Sequence, residues 1–291
     1  MPDLNGKIAL VAGATRGAGR AIAVELGKAG ATVYATGRTT RQYTSEMGRT
    51  ETIEDTAEII KQHGGNAFAV QVDHTIPEQV KALLERIGQE SGKLDILIND
   101  VWGGDHLAQW VPFWEHDLQN GLKLLDNTIK SHIITSHHAV PLMIQQQSGL
   151  IIEITDGITE MYRGSLFYDL AKVSVNRLAF AQSQELAKHG ITALALSPGF
   201  LRSEAMLDHF GVTEENWRDG AKTEPHFIAS ETPYYLARAV VALAADPHIQ
   251  QKNGGCYATW NLYQEYGFQD LDGTQPDWGR YARDNLGIDA G

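Results

Sequence analysis

The stretch KIALVAGATRGAGRAI, residues 7–22, decides the fold. Its first six residues are a short run of strand formers. From Gly17 onward apolar residues return at helical spacing, at Ala18, Ile22, Leu26 and Ala29. Between the two stand Gly13, Gly17 and Gly19. Glycines at a strand-to-helix turn let the backbone approach a pyrophosphate, and the free N–H groups of the helix start attract its charge. The spacing is G-x-x-x-G-x-G, not the G-x-G-x-x-G of the general dinucleotide fingerprint. A tight turn without a ligand is the bland alternative. The placement between a strand and a helix favours the phosphate.

The alternation continues outward from this turn. Further strands are expected at 31–36, 67–72, 94–98, 150–155, 191–197 and 256–260. Helices are expected at 17–29, 53–63, 77–91, 167–189 and 233–244, with a long, broken one stopping before Gly149. Segment 101–113 reads as a loop with a helical turn, and 203–228 as irregular with two short helices. The tail from Asn261 is aromatic and punctuated by glycines. Short apolar strands separated by helices imply βαβ units and a parallel sheet covered on both faces. The expected fold is α/β: one doubly wound, Rossmann-type domain over 1–291 with about seven strands and helices on both faces.

Composition removes several function classes. The chain is 43% apolar and 21% charged, which is globular. A net charge of −12 argues against a nucleic-acid backbone as partner. The lone Cys256 excludes an internal disulfide. The longest uncharged stretch, 131–152, holds three histidines, a proline and three glutamines, so it reads as core helix plus strand, not a membrane span. No targeting segment is visible, and a cytoplasmic protein without a membrane partner is expected.

The second strand should end beside an adenosine ribose, where an NAD site usually carries a carboxylate. None occurs between Glu25 and Glu46. Arg38 follows Gly37, and Arg16 lies within the glycine turn. A guanidinium pairs well with a 2′-phosphate, so the expected cofactor is NADP(H). Two solvated surface arginines are the alternative.

Tyr168 and Lys172 are four residues apart on an expected helix, hence on one face. An ammonium beside a phenol favours the phenolate, which suits proton exchange with a carbonyl during hydride transfer. Alone, Y-x-x-x-K is common by chance. Together with the glycine turn, these residues resemble the short-chain dehydrogenase/reductase family. The resemblance covers nearly the whole chain. It also rests on Asp73 after the third strand, Asn99 after the fourth, Asn127 in the long helix, and Ser197-Pro-Gly199 followed by Ser203. The C-terminal phrases Ala244-Ala-Asp-Pro247 and Tyr266-Gly-Phe-Gln-Asp-Leu-Asp-Gly273 resemble the mammalian dehydrogenase/reductase member one subgroup and its bacterial relatives.

The resemblance implies roles. Tyr168 would donate the proton, Lys172 would bind the nicotinamide ribose, and Asn127 would hold a relay water. Pro198 and Gly199 would turn against the nicotinamide. Cofactor contacts would come from Gly13, Thr15, Arg16, Gly17, Ala18, Gly19, Arg38, Asp73, His74, Asn99, Val101, Tyr168, Lys172, Pro198, Gly199, Leu201 and Ser203. The family also pairs the long helix and the Tyr168 helix between subunits, implying a homodimer or homotetramer.

Two departures stand out. The family's Asn-Asn-Ala-Gly is here Asn99-Asp100-Val101-Trp102, with a bulky ring in place of a glycine. The family's catalytic serine falls where this chain has Asp156, with Thr155 adjacent. An ionised carboxylate cannot donate to a carbonyl, whereas a protonated one could. The preferred reading is that Asp156 accepts from a substrate hydroxyl or amine. Loss of turnover at a degenerate site is the different-class alternative, leaving a non-catalytic NADP(H)-binding protein.

Trp102, Trp110, Trp114, Met206, Phe210 and Trp217 fall in the segments expected to flank the substrate, near 100–116 and 203–230. They favour a bulky apolar carbonyl or alcohol substrate; anchoring of the loops in the core is the alternative. His132, His137 and His138 lack the i, i+4 spacing of a helical zinc pair, so no metal is expected. The tail aromatics read as packing or a subunit contact.

Overall fold

The computed structural model describes residues 2–291. Seven strands form one sheet: β1 (Ile8–Ala12), β2 (Thr32–Gly37), β3 (Asn66–Gln71), β4 (Ile96–Asn99), β5 (Gly149–Ile154), β6 (Ile191–Ser197) and β7 (Cys256–Ala258). Their order is β3-β2-β1-β4-β5-β6-β7, and every pair is parallel. The order reverses direction between β1 and β4, and open sheets of this kind bind ligands outside the strand ends at that point.

Helices cover both faces. On one side α1 (Gly17–Lys28) and α8 (Pro233–Ala245) pack together over Ala9, Val11, Ile98 and Ile152. Nearby lies α2 (Ile53–Gln62), whose start is fixed by a reciprocal Thr52–Asp55 capping box. On the other side lie α3 (Pro77–Ser91), opened by its proline, and α5 (Ser131–Gln146). They bury Leu10, Leu97 and Ile151.

The expected long helix runs from 118 to 146 and is interrupted by a π segment. α4 (Leu118–Leu125) joins α5 through a π turn at Asp126–Lys130, and α6 (Leu166–Leu186) follows β5. Irregular segment 203–228 holds one α-helix, α7 (Glu204–Phe210), then 3-10 turns at Trp217–Lys222 and Pro225–Ala229.

The C-terminal region departs from expectation. The last strand stops at Ala258, and Thr259 and Trp260 already belong to α9 (Thr259–Tyr266). A further helix, α10 (Trp278–Leu286), starts where the Asp277 side chain accepts from Arg280 N–H at 2.8 Å. Trp260, Ala282 and Ala290 gather with Ala258 into a small core of their own. No helix among the described residues is long and apolar enough to cross a membrane.

Candidate active site

A cavity of about 710 Å³ opens at the C-terminal ends of β1 to β6. Its floor is the glycine turn. Gly13 has φ 96°, and a Cβ there would stand 2.5 Å from the Asp100 carbonyl oxygen. A Cβ on Gly19 would stand 2.3 Å from the Gly13 carbonyl oxygen. Only glycine lets the turn pack this closely on the strand ends. Gly19 therefore serves helix packing behind the cavity, while Gly13, Thr15, Arg16, Gly17 and Ala18 line it.

The start of α1 already holds an anion. Gly17 N–H donates to Glu204 Oε2 at 2.9 Å, so a carboxylate from α7 takes the position a phosphate oxygen favours. Arg16 is largely buried, and burial pulls its guanidinium below the usual range. Its Nη1 has no hydrogen-bond partner among the described residues, with Glu51 Oε2 at 3.9 Å. A donor-rich turn with a guanidinium nitrogen that lacks a hydrogen-bond partner fits the diphosphate of a dinucleotide.

Arg38 lies at the next corner, with Nη1 2.7 Å from Glu46 Oε1 and 4.0 Å from Asp73 Oδ2. Asp73 Oδ1 also accepts from Thr75 N–H and Oγ1–H. The His74 ring is turned inward, 2.8 Å from both Thr36 Oγ1 and Thr135 Oγ1, and burial lowers it to about 3. His74 borders the cavity as a neutral internal tether. Asn99 differs from expectation. It is fully buried outside the lining, and its Nδ2 donates to Ser136 Oγ and Glu153 Oε1 at 2.9 Å. Its side chain ties β4 to β5 and α5 because a buried amide must find partners inside the core. His132 joins the same network through Glu153 Oε2, at 2.7 Å.

Asp100 occupies the family's second asparagine position. Burial pushes its carboxyl up to about 7, opposed by Lys172 and His132. The folded chain thus keeps a proton that the unfolded chain, with a carboxyl near 3.8, has released. Stability contributed here falls as pH rises from about 4 to 7 and is gone above that window. Asp100→Asn can still accept from Gly19 N–H and carries no charge. It should raise Tm at pH 8 by ~2–4 °C, on the order of 1 kcal/mol, and shift Tm far less at pH 4.5, near the start of that window. Equal shifts at both pH values in calorimetry would reject this origin.

At the far end the expected quartet gathers. Tyr168, Lys172, Asn127 and Asp156 all line the cavity. Thr155 also lines the cavity, but its Oγ1–H is committed to the Lys172 carbonyl at 2.9 Å, and it is Asp156 that bonds the tyrosine. The Tyr168 hydroxyl donates to Asp156 Oδ2. The expectation of a lowered phenol is therefore corrected. Burial, then the Asp156 charge, raises Tyr168 well above the usual range. Partial burial at the cavity wall lowers Lys172, and its ammonium lies 3.9 Å from the Trp102 ring centre. Trp102 also meets Tyr168 edge-on at 5.4 Å. Asn127 sits in the π turn and donates Nδ2–H to Gly103 O at 3.2 Å. The π turn is the kind of local defect that aims a side chain out of a helix face.

Pro198, Gly199, Leu201, Ser203 and Val101 line the cavity between these ends. Of the bulky candidates, Trp102 and Met206 line it, and Trp110 meets Tyr168 at a tilt, ring centres 5.3 Å apart. The others do not. Phe210 and Trp217 pack on Phe227, and Trp114 is 71% exposed. Phe210 and Trp217 anchor their segment, as the bland reading held, whereas Trp114 neither lines the cavity nor packs in the core. The tail supplies wall residues that were not anticipated: Trp260, Trp278, Ala282, Leu286, Ile288 and Ala290. The i, i+4, i+8 spacing of Trp278, Ala282 and Leu286 behind Asp277 was the available signal.

Comparison with known proteins agrees with this geometry. A sequence model of the family described as short chain dehydrogenase matches residues 7–210. Dehydrogenase/reductase SDR family member 1 of Mus musculus is 32% identical over 278 residues, covering 93% of this chain and 85% of the relative. A 3-oxoacyl-(acyl-carrier-protein) reductase of Staphylococcus aureus is 32% identical, covering 86% and 98%. The crystal structure of a hydroxysteroid dehydrogenase from Escherichia coli superposes with a TM-score of 0.72 at 22% identity, covering 88% and 96%.

Proposed function

The chain belongs to the short-chain dehydrogenase/reductase family, whose members use NAD(P) cofactors, and on that premise we propose that it is an NADP(H)-dependent oxidoreductase interconverting a bulky carbonyl compound and its alcohol. One observation carries the reading: the glycine turn and the Tyr168 hydroxyl line the same apolar-walled cavity. Gly13 to Ala18 would hold the diphosphate, Arg38 and Asp73 the adenosine end. Val101, Lys172, Pro198, Gly199, Leu201 and Ser203 would hold the nicotinamide half. The bound cofactor supplies or takes the hydride at the carbonyl carbon. In reduction, Tyr168 gives the carbonyl oxygen its proton, and solvent reprotonates the phenolate. Lys172 steadies that phenolate, and Asn127 holds a relay water on the solvent side.

A second reading has its own support. Asp156 stands where the family's oxygen-stabilising serine belongs, which suits an NADP(H)-binding protein without turnover. A screen of ketones, aldehydes and quinones separates the two by NADPH absorbance. Both expect NADPH to bind. Consumption with any substrate favours the enzyme, and binding without consumption across the panel favours the second reading.

Family members commonly form oligomers. The half-exposed Ile133, Leu170 and Phe180 on α5 and α6 support a homodimer or homotetramer. Sedimentation at micromolar concentration is expected to show a species larger than 32.0 kDa, and finding only that monomer would reject the assembly.

A further inference from the structure

A phenol has one hydrogen to donate, and that of Tyr168 is committed to Asp156. The backbone that carries this carboxylate is firmly held. Arg163 Nε donates to the Asp156 carbonyl at 2.6 Å, and the same guanidinium binds the Thr159 and Met161 carbonyls and Asp169 Oδ1. Gly157 N–H, one residue on, donates to Ser197 Oγ at 2.7 Å. These bonds keep the Asp156 backbone beside Tyr168 when a substrate arrives, and the Tyr168 hydroxyl is the carboxylate's own hydrogen-bond donor.

A simple ketone brings only an acceptor. To take the Tyr168 hydrogen it must strip it from a carboxylate, a stronger acceptor than a neutral carbonyl. The carboxylate would then lose the one hydrogen-bond donor it has among the described residues, which is unfavourable. A substrate with its own hydroxyl beside the carbonyl removes the conflict. Its hydroxyl donates to Asp156, and Tyr168 is released to donate to its carbonyl. Two donors then meet two acceptors.

Resting on the carbonyl-reductase reading above, we infer that the substrate is an α-hydroxy ketone with a bulky apolar body, reduced to a vicinal diol, and that Asp156 selects it by exchanging its bond to Tyr168 for one to the substrate hydroxyl. The Tyr168 and Asp156 oxygens are within hydrogen-bond reach of each other, so the substrate oxygens that meet them must also be close. Oxygens on adjacent carbons have that spacing. The body lies among Met161, Phe200, Met206, Trp278 and Leu286, which line the same cavity. Asp156 touches the substrate in this scheme and is a specificity-determining residue. The hydride from NADPH reduces the carbonyl carbon, the Tyr168 proton completes the new hydroxyl, and the α-hydroxyl is unchanged. The cofactor leaves oxidised as NADP⁺.

The test compares 2-hydroxyacetophenone, 2-methoxyacetophenone and acetophenone. The ether keeps the oxygen and the bulk but has no hydrogen to donate. Wild-type kcat/KM with NADPH is expected to favour the hydroxy ketone over the ether by about tenfold to a hundredfold. Asp156→Ser should collapse that ratio toward one, mainly by raising activity on the ether and on acetophenone. Asp156→Asn, which keeps the shape and can donate as well as accept, should narrow the ratio and guards against misfolding of the serine variant. A ratio near one in wild type, or an unchanged ratio in both variants, overturns the inference while leaving the carbonyl-reductase reading intact. Failure of any carbonyl compound to consume NADPH defeats that reading itself. Binding of the three ketones to NADP⁺-loaded enzyme then decides the inference separately: a tenfold preference for the hydroxy ketone that Asp156→Ser removes supports it, and equal binding overturns it.

Discussion

Tyr168→Phe is expected to lower kcat/KM for carbonyl reduction by roughly 10²–10⁴-fold while leaving NADPH affinity unchanged. The substitution removes one oxygen and retains the ring that packs against Trp102 and Trp110. The fold should therefore be unaffected. The proton source is lost, and Asp156 loses the hydroxyl that donates to it. Lys172 cannot replace it, because its ammonium faces the Trp102 ring. The pH profile adds a second readout. Burial and Asp156 hold the Tyr168 phenol well above its usual range, so the donor stays protonated through neutral pH. Reduction limited by this proton should stay level as pH rises through 8. In the oxidation direction Tyr168 must first lose its proton, and the rate should still be climbing at pH 10. Intact turnover in Tyr168→Phe would defeat the catalytic assignment.

Arg38→Asp is expected to weaken NADPH binding by about tenfold to a hundredfold and to move preference toward NADH. Arg38 lies between Glu46 and Asp73, and Lys123 approaches Glu46 at 3.4 Å. A 2′-phosphate would draw the guanidinium from Glu46 into a doubly charged pair. With Asp at 38, three carboxylates would share the corner and repel that phosphate. The ribose hydroxyls of NADH could instead donate to the new carboxylate. Titration of both cofactors by fluorescence checks this. Equal dissociation constants in wild type, or a variant that loses both cofactors equally, would reject Arg38 as the selector. Arg16 is expected to serve both cofactors alike, because its Nη1, which has no hydrogen-bond partner among the described residues, lies by the glycine turn that the two would share.

Local signals were enough to read the architecture from the amino-acid sequence. The glycine turn, the alternating strands and helices, and the four-residue step from Tyr168 to Lys172 each depend on neighbours a few positions away. Backbone sterics and helical periodicity act over that range, so these features could be read before any contact was known. The seven parallel strands follow from them. The tail helices were missed although α10 carries an i, i+4, i+8 step, because helices of eight and nine residues are marginal alone and depend on the small core with Trp260 and Ala258.

What the tertiary structure alone decided is which side chains meet. Glu204 lies 187 residues from Gly17 along the chain, yet it fills the anion position at the start of α1. Asn99 carries a family motif but is drawn into the buried Glu153 network. Trp102 settles on Lys172, and residues near the C-terminal end close the substrate wall. Asp156 was recognisable as a substitution for serine, but its engagement of the Tyr168 proton was not. Spacing along a chain specifies which face a residue occupies. Which partner it finds there depends on close packing and on pairing every buried donor and charge, conditions that exist only once the elements have come together.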